Sequence, residues 1–436
     1  MWLPDDPGQP RPMEDFARDA VTSGYRRGYE ELAYALYSGD STGLPSYYQE
    51  GALSDAHLVT QQTRLAEFAD WDHQLTLHFY APDGATVSFT DQYWYAQGED
   101  EGKRLTIPRL ARRTVDVVMA LDDGNWRVHH WRVLADTPAQ ADRISFPDLA
   151  GQLARIRGVN YEARSAPFAA LWTSLNADEV ESDFARIHGL GLNTVRVFVP
   201  YPLPADAPNT LKALLDAAGR HELKVIPTLL DGYTAYRLAD LPRILTMLET
   251  LQPQLSRPEV LAVDLKNEAD LDAGKADWTR LRFVLGLLAD QTRTLSRKAV
   301  TVGLIVPDAA LAQHLDFVTV HSYAAPGQTA TLLQSAKKLQ RPVLLEEFGY
   351  HTQANKLPDP HTEADQAWHY RQTLDLSARE RVGWLAWTLF DLPKGAVPGN
   401  RPVERHLGML RGDGTEKPAA LVVMGGRPAP PDGLTG

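Results

Sequence analysis

Between residues 157 and 390 the chain alternates eight times between a short run of β-forming residues and a stretch with helical spacing. The runs are "RGVNY" (157–161), "NTVRVFV" (193–199), "LKVIPTLL" (223–230), "VLAVDLKNE" (260–268), "AVTVGLI" (299–305), "DFVTVHSY" (316–323), "RPVLLEEFG" (341–349) and "GWLAWTLF" (383–390). Helical patterns such as "NADEVESDFARIHGLG" and "ADWTRLRFVLGLLADQTRTLSR" separate most of them, while only "PDAALAQHL" is available between the fifth and the sixth. Near-continuous apolar strands alternating with helices require a parallel sheet covered on both faces.

Eight such units over roughly 250 residues have the count and size of a (β/α)8 TIM barrel. The competing architecture is a doubly wound open sheet, which typically carries a Gly-rich phosphate turn after its first strand. "GVNYEARSAP" has no such turn, and no Walker, dinucleotide or HExxH motif occurs anywhere in the chain. The expected fold class is α/β, a barrel spanning 151–425.

Barrel sites are built at the C-terminal ends of the strands. Here those ends read Asn160-Tyr161, Arg196, Asp231-Gly232-Tyr233, Asn267-Glu268, His321-Ser322-Tyr323, Glu346-Glu347 and Trp387. Carboxylates, amides, an imidazole, a guanidinium, phenols and an indole would converge on one mouth. Two carboxyls flanking a cleft among aromatic rings are the equipment for cleaving a glycosidic bond, with one protonated to donate and the other ionised to attack.

These motifs, taken in order, resemble clan A of the glycoside hydrolases, and within it family 5 and its relatives. "DLKNEAD" is similar to that clan's Asn-Glu on the fourth strand, "LLEEFG" to its Glu-aromatic-Gly on the seventh, "HSY" to its His-x-Tyr on the sixth, and "NTVRVF" to its Asn-x-x-Arg on the second. "GWLAWTLFD" supplies the eighth-strand Trp, and "LGMLRGDGTEKPA" resembles the ending that follows it. The resemblance implies Glu268 as acid/base and Glu347 as nucleophile of a retaining β-glycosidase on a mannan- or glucan-type sugar. It further implies substrate or site contacts from Arg196, Asn267, His321, Tyr323, Trp387, Asp231, Tyr233 and Asn160, with no metal and no cofactor. Two positions depart from the family pattern: "LLDGY" puts Asp231 where many relatives have His, and "NEAD" stands where "NEP" is frequent. Trp172, Tyr201 and Phe390 are further platform candidates, and Lys266 shares the parity of Asp264 and Glu268 without an assigned role.

In "VLLEEFGY" (343–350) two glutamates are adjacent, and neighbours on a regular strand face opposite ways. Glu347 is expected to face the site, with Gly349 leaving room beside a sugar. Glu346 is expected to face the helix layer or a neighbouring strand end, in an ion pair or a supporting hydrogen bond.

The first part of the chain has a different grammar. Residues 14–135 open with a helical pattern carrying Phe16, Ala20, Tyr25, Leu32 and Leu36, with an interruption expected around Gly24. The period then changes to two: Leu75, Leu77 and Phe79, then Val115, Val117, Met119 and Leu121, with turns at Asp83-Gly84 and "DDGN". Helices followed by antiparallel hairpins resemble the cone-shaped nuclear transport factor 2 and SnoaL-like superfamily. That resemblance implies an α+β accessory domain open to self-association or partner docking. His129 and His130, adjacent on a strand, face opposite ways and cannot jointly chelate a metal. Residues 1–13 read as a flexible lead-in, 136–150 as a linker and 426–436 as a Pro/Gly-rich tail.

Composition narrows the partners. There are 56 acidic against 44 basic residues, a formal charge of −12. Such a surface repels nucleic acid, and "RLARR" (109–113) is too short a cluster to reverse that. Cysteine is absent, which excludes disulfides and thiolate chemistry. No run approaches the roughly 20 apolar residues of a membrane span. The first residues lack the features of a signal peptide. The chain is therefore expected in the cytoplasm, or outside it or at a cell surface if a signal or anchor has been removed. Two other readings stay open: a catalytically silent carbohydrate-binding barrel, and a docking protein whose N-terminal domain carries the main role.

Overall fold

The computed structural model describes residues 1–5, 11–63, 65–99, 109–139, 144–274, 278–353, 359–397 and 401–426. They divide into two compact units, Met1–Gln140 with Arg237–Ile244, and Ala141–Tyr236 with Leu245–Gly436.

In the first unit, helices α1 (Asp15–Ser38) and α2 (Glu50–Gln62) precede four strands, β1 (Leu65–Tyr80), β2 (Thr86–Glu99), β3 (Arg109–Asp122) and β4 (Asn125–Pro138). The strands form one antiparallel sheet in sequence order. The β3–β4 hairpin closes on Asp123 and Gly124, both at positive φ (50° and 77°), the pairing of a type I′ turn. Helix α1 runs unbroken through Gly24. A Cβ at Gly24 would come within 2.8 Å of the Trp126 carbonyl oxygen, so this glycine permits close helix–sheet approach and does not interrupt the helix. The buried stripe is Ala17, Val21, Tyr25, Gly28, Leu32 and Ala35: Tyr25 and Leu32 are buried as expected, whereas Phe16 and Ala20 are exposed and their neighbours Ala17 and Val21 are buried instead. Small residues let the helix lie close to the sheet, which moves the seam. Leu75 and Leu77 are buried as expected, but a register shift between Leu77 and Phe79 turns Phe79 outward and Tyr80 inward. Residues at the start of the chain, read as a lead-in, pair with β1: the Leu3 N–H donates to Leu75 O at 2.8 Å. His129 and His130 go to different carboxylates, Asp122 and Asp116.

The second unit is the barrel. After α3 (Leu149–Ala154) come β5 (Arg157–Asn160), α4 (Ala177–Gly189), β6 (Thr194–Pro200), α5 (Ala207–Arg220), β7 (Lys224–Asp231), α6 (Leu241–Leu255), β8 (Ala262–Asp264), α7 (Trp278–Ser296), β9 (Ala299–Thr301), β10 (Val318–Ser322), α8 (Pro326–Lys337), β11 (Val343–Phe348), α9 (Glu363–Glu380), β12 (Gly383–Ala386) and α10 (Pro418–Val423). All eight expected strands are present in a parallel sheet of order β10-β11-β12-β5-β6-β7-β8-β9. The seam between β9 and β10 is bridged by Asp316 N–H to Val300 O (3.0 Å) and His321 N–H to Leu304 O (3.1 Å). The short connection there holds only one 3-10 turn, Leu311–Gln313.

The barrel interior is layered. Its lower end is apolar: Leu149, Leu153 and Ile156, in and just after α3, pack with Ile226, Ala262, Ala299, Phe317, Leu344 and Leu385. Above them Arg196, Thr228, Asp264, Thr301, Thr319 and Glu346 are buried polar residues. Such groups are tolerated in an interior only when they satisfy one another, and they carry the site.

Candidate active site

The site is organised around Arg196, which is fully buried. Its Nη1 donates to Glu347 Oε1 (2.6 Å) and Asn160 Oδ1 (3.0 Å), and its Nη2 to Asp264 Oδ2 (2.7 Å) and Asn267 Oδ1 (2.8 Å). Its Nε stands 3.6 Å from Glu346 Oε1. One guanidinium thus faces three carboxylates, and the planar fork of Arg is what allows it. Their charge holds the Arg196 pKa well above its ordinary value, although burial alone would lower it.

Glu347 is completed by Tyr323, whose hydroxyl donates to Oε2 at 2.7 Å. His321 lies between the glutamates: Nδ1 is 3.3 Å from Glu268 Oε1 and 3.6 Å from Glu347 Oε2, and Nε2 is 3.3 Å from Glu346 Oε2. Burial would lower its pKa, but Glu347, Glu268 and Glu346 together push it up to about 10, so it is an imidazolium at neutral pH. Burial would likewise raise Glu268, yet the His321 hydrogen bond and charge, with Arg196 and Lys266, hold it below the ordinary carboxylate range. Glu268 sits at φ 43°, left-handed backbone that a glutamate rarely adopts. One donor oxygen of Glu268 and one of Glu347 lie within 4.8 Å of each other, with His321 Nδ1 between them.

The two adjacent glutamates do not obey strand alternation. Val320 pairs with Leu345 but His321 pairs with Glu347, and on the other side Leu345 pairs with Trp384 while Phe348 pairs with Ala386. One extra residue is therefore bulged into β11 against both neighbours, and both side chains reach the interior cluster. The expectation that Glu346 faces the helix layer or a strand end is corrected: it is fully buried, paired with Arg196 and His321. Its supporting ion pair is present. Gly349 lines the cleft, but a Cβ there would sit 2.5 Å from the Trp387 carbonyl oxygen, so close backbone approach already demands glycine.

Beneath the glutamates, Asp264 accepts from Arg196, from Thr228 Oγ1 (2.9 Å) and from the Gly303 N–H (2.8 Å). Burial and the neighbouring Glu346 charge push its pKa up to about 6. Lys266 meets the Asp264 carboxylate through its backbone N–H (3.1 Å to Oδ1), while its ammonium turns elsewhere. Its Nζ donates to Asn267 O (2.9 Å) and lies 3.4 Å from Asp272, fixing the backbone next to Glu268.

A cleft of about 1190 Å³ opens above this cluster. Asp231, Asn267, Glu268, Tyr323, Glu347 and Trp387 line it, and Trp387 meets Phe198 edge-on at 5.6 Å. Asn160, Arg196, His321 and Tyr233 are not in its lining. Asn160 and Arg196 act from below: the Asn160 amide donates to Glu346 O (3.1 Å) and Ala386 O (3.3 Å). Tyr233 packs against Tyr201 and Tyr236. Trp172 and Phe390 are buried, and Arg164 covers the Phe390 ring at 4.1 Å.

Several residues of the site went unread in the sequence. Glu162 is buried, accepts from the Phe168 N–H, and has a pKa raised to about 8 by burial, with Asp231 and Glu347 adding to it. Phe168 itself, at φ 56°, lines the cleft. Most of one wall comes from Tyr350, His351, Asp359, His361, Trp368 and His369, with Arg401 and Glu404 beyond. In the first unit a separate cavity of about 150 Å³ is lined by Tyr29, Phe68, Trp131 and Arg113 among others.

With eight parallel strands and alternating helices, the second unit is a (β/α)8 barrel whose polar cluster lies at the C-terminal strand ends. Solved structures share this fold. An exo-β-1,4-mannosidase from Opitutaceae bacterium strain TAV5 superposes with a TM-score of 0.52 at 23% identity, over 62% of this chain and 58% of that one. The match thus spans less than two thirds of that protein's length. A GH5_18 protein from Streptomyces cattleya, solved with GlcNAc, gives 0.53 at 22% identity over 63% and 81% of the two chains. A GH5_18 protein from Bifidobacterium longum subsp. longum gives 0.52 at 18% over 62% and 77%. No protein-family model matches the chain, and no curated protein matches it. At these identities the likeness establishes the barrel.

Proposed function

We propose that the barrel, residues 151–425, is a retaining β-glycoside hydrolase with Glu347 as nucleophile and Glu268 as acid/base. The observation that carries this reading is the pair of carboxylates with oxygens within 4.8 Å of each other, bridged by His321. Retention needs carboxyls about 5–5.5 Å apart, while inversion needs about 6.5–9.5 Å for an intervening water.

In the first step a Glu347 oxygen attacks the anomeric carbon, the glycosidic C–O bond breaks, and the departing oxygen takes the proton of Glu268. In the second, Glu268 takes a proton from water, the water oxygen attacks the anomeric carbon, and the bond to Glu347 breaks. Arg196 and Tyr323 orient Glu347, since each donates to one of its oxygens. Asn267, its carbonyl oxygen committed to Arg196, has its amide left to donate to a sugar hydroxyl.

The charges around Glu268 do not themselves favour its protonated form. A sugar covering this carboxyl would exclude water and raise its pKa, and His321 holds a proton 3.3 Å away to supply it. Trp387 and Phe168 are among the apolar faces that line the cleft for a sugar ring, and Asp231 lines it as an acceptor for hydroxyls.

The substrate class is a β-linked mannan- or glucan-type sugar. β-Mannosides head the series to test, because solved barrels of this fold include an exo-β-1,4-mannosidase and a GH5_18 protein bound to Manβ1-4GlcNAc. For the first unit, residues 14–135, we propose a nuclear transport factor 2-like or SnoaL-like accessory domain, supported by two helices on one four-stranded antiparallel sheet.

The test is hydrolysis across a panel of β-mannosides, β-glucosides and their oligosaccharides by wild type, Glu268→Gln and Glu347→Gln. Wild type should cleave at least one, and each variant should lose at least about 10²–10⁴-fold. Binding without cleavage by wild type would instead support the silent carbohydrate-binding barrel.

A further inference from the structure

The cleft wall after β11 gathers histidines and an aspartate that the proposed hydrolysis does not use. We propose that His351, Asp359 and His361 form a divalent transition-metal site of the zinc class in this wall.

The geometry carries the proposal. One ligand atom from each residue lies within 4.8 Å of the other two. His361 Nε2 is 2.9 Å from Asp359 Oδ1, and His351 Nε2 is 3.6 Å from Asp359 Oδ2. Ligand atoms about 2.0–2.2 Å from a tetrahedral zinc stand roughly 3.3–3.6 Å apart; the His351–Asp359 separation matches that edge, and the His361–Asp359 pair, at hydrogen-bond distance, would open slightly to admit the ion. Two imidazole nitrogens and one carboxylate suit zinc and its neighbours, whereas calcium and magnesium take oxygen shells.

A second observation is independent of that spacing. His361 Nε2 also lies 2.8 Å from the Tyr350 hydroxyl oxygen, so one ring nitrogen meets a phenol and a carboxylate together. A metal ion between His361 and Asp359 would satisfy the carboxylate and leave the phenol as a neighbour to the ligand shell. The rings are held in place: Tyr350 is stacked between His361 (4.1 Å) and His369 (4.5 Å), and His351 packs on His361 at 4.3 Å. His351 is buried while Asp359 is exposed, which gives the ion an entry side. Three protein ligands leave a fourth position for water or a hydroxyl of a molecule in the cleft.

Loading has a defined cost. A coordinating His351 Nε2 places the ring proton on Nδ1, which now accepts a 3.3 Å hydrogen bond from the Gln353 N–H. That long bond is given up, and because the ligands must be deprotonated, affinity falls toward acid pH.

The test is calorimetric titration of the full chain with zinc chloride at neutral pH, for wild type, Asp359→Asn, His361→Ala and Glu347→Gln. Wild type should bind one equivalent, Asp359→Asn and His361→Ala should lose at least about tenfold in affinity, and Glu347→Gln should bind as wild type. Zinc should also raise the thermal midpoint of wild type and not that of Asp359→Asn, whose exposed side chain supports no core. Failure of wild type to bind one equivalent, or unchanged binding by both wall variants, would overturn the proposal. Loss confined to Glu347→Gln would also overturn it, by placing the ion among the cleft glutamates. None of these readouts depends on glycoside hydrolysis.

Discussion

His321 Nδ1 stands 3.3 Å from Glu268 Oε1, an imidazolium against the carboxylate proposed to cycle a proton. With its pKa pushed up to about 10, against about 6.5 for an unperturbed His, His321 binds a proton in the folded state that the unfolded state has lost. Its contribution to stability is complete below about pH 6.5 and fades as pH rises through about 10. Denaturant unfolding across this range should show wild type losing stability with rising pH, and His321→Gln should flatten that slope. An unchanged slope would mean that the imidazole is neutral in the fold.

Arg196 is in contact with Asp264, Glu346 and Glu347 together. Arg196→Met should leave three buried carboxylates without their shared partner and cost about 3–5 kcal/mol, measured by urea denaturation. Arg196→Lys should recover part of the stability and little of the site order, because an ammonium cannot reproduce the fork.

Glu162 holds a proton at neutral pH because burial raises its pKa to about 8. The folded state binds that proton while the unfolded state has released it, so stability falls as pH rises from about 4.5 to about 8. Glu162→Gln keeps an oxygen to accept from the Phe168 N–H and has no charge to bury. Its thermal midpoint should match wild type near pH 4.5 and exceed it increasingly toward pH 8, by differential scanning fluorimetry.

Gly24→Ala improves helix propensity by about 1 kcal/mol, which on local grounds should stabilise α1. The new methyl would meet the Trp126 carbonyl oxygen at 2.8 Å, and backbone there cannot step aside cheaply. The overpacking cost, about 1–3 kcal/mol, should win, and thermal unfolding should show a net loss.

The barrel was legible because its grammar is local: apolar runs alternating with helices, with polar residues at strand ends. Arg196, Asn267, Glu268, His321, Tyr323 and Glu347 could be placed by counting to those ends, and they do meet. The bulge in β11 was not legible, because an extra residue leaves no mark on an apolar run. Parity therefore sent Glu346 to the wrong face. Tyr233 and Asn160 sat at the right strand ends but lie outside the cleft lining, Tyr233 against other tyrosines and Asn160 beneath the cleft on Arg196, and strand position alone does not separate a lining residue from one beneath it. Of the wall after β11, His351, Asp359 and His361 were missed because they lie outside the helices and strands and carry no periodicity to read, while Trp368 and His369 lie in α9. In α1 apolar spacing placed Tyr25 and Leu32 in the buried stripe, but it pointed to Phe16 and Ala20 where the close helix–sheet seam instead buries Ala17 and Val21.

The central claim is that Glu347, and not its neighbour Glu346, attacks the sugar. The direct measurement is incubation of wild type with 2-deoxy-2-fluoro-β-mannosyl and β-glucosyl fluorides, followed by tandem mass spectrometry of the peptide containing residues 343–350. One covalent sugar is expected, on Glu347. A sugar on Glu346, or turnover of a β-glycoside with release of the inverted anomer and no covalent adduct, would contradict it.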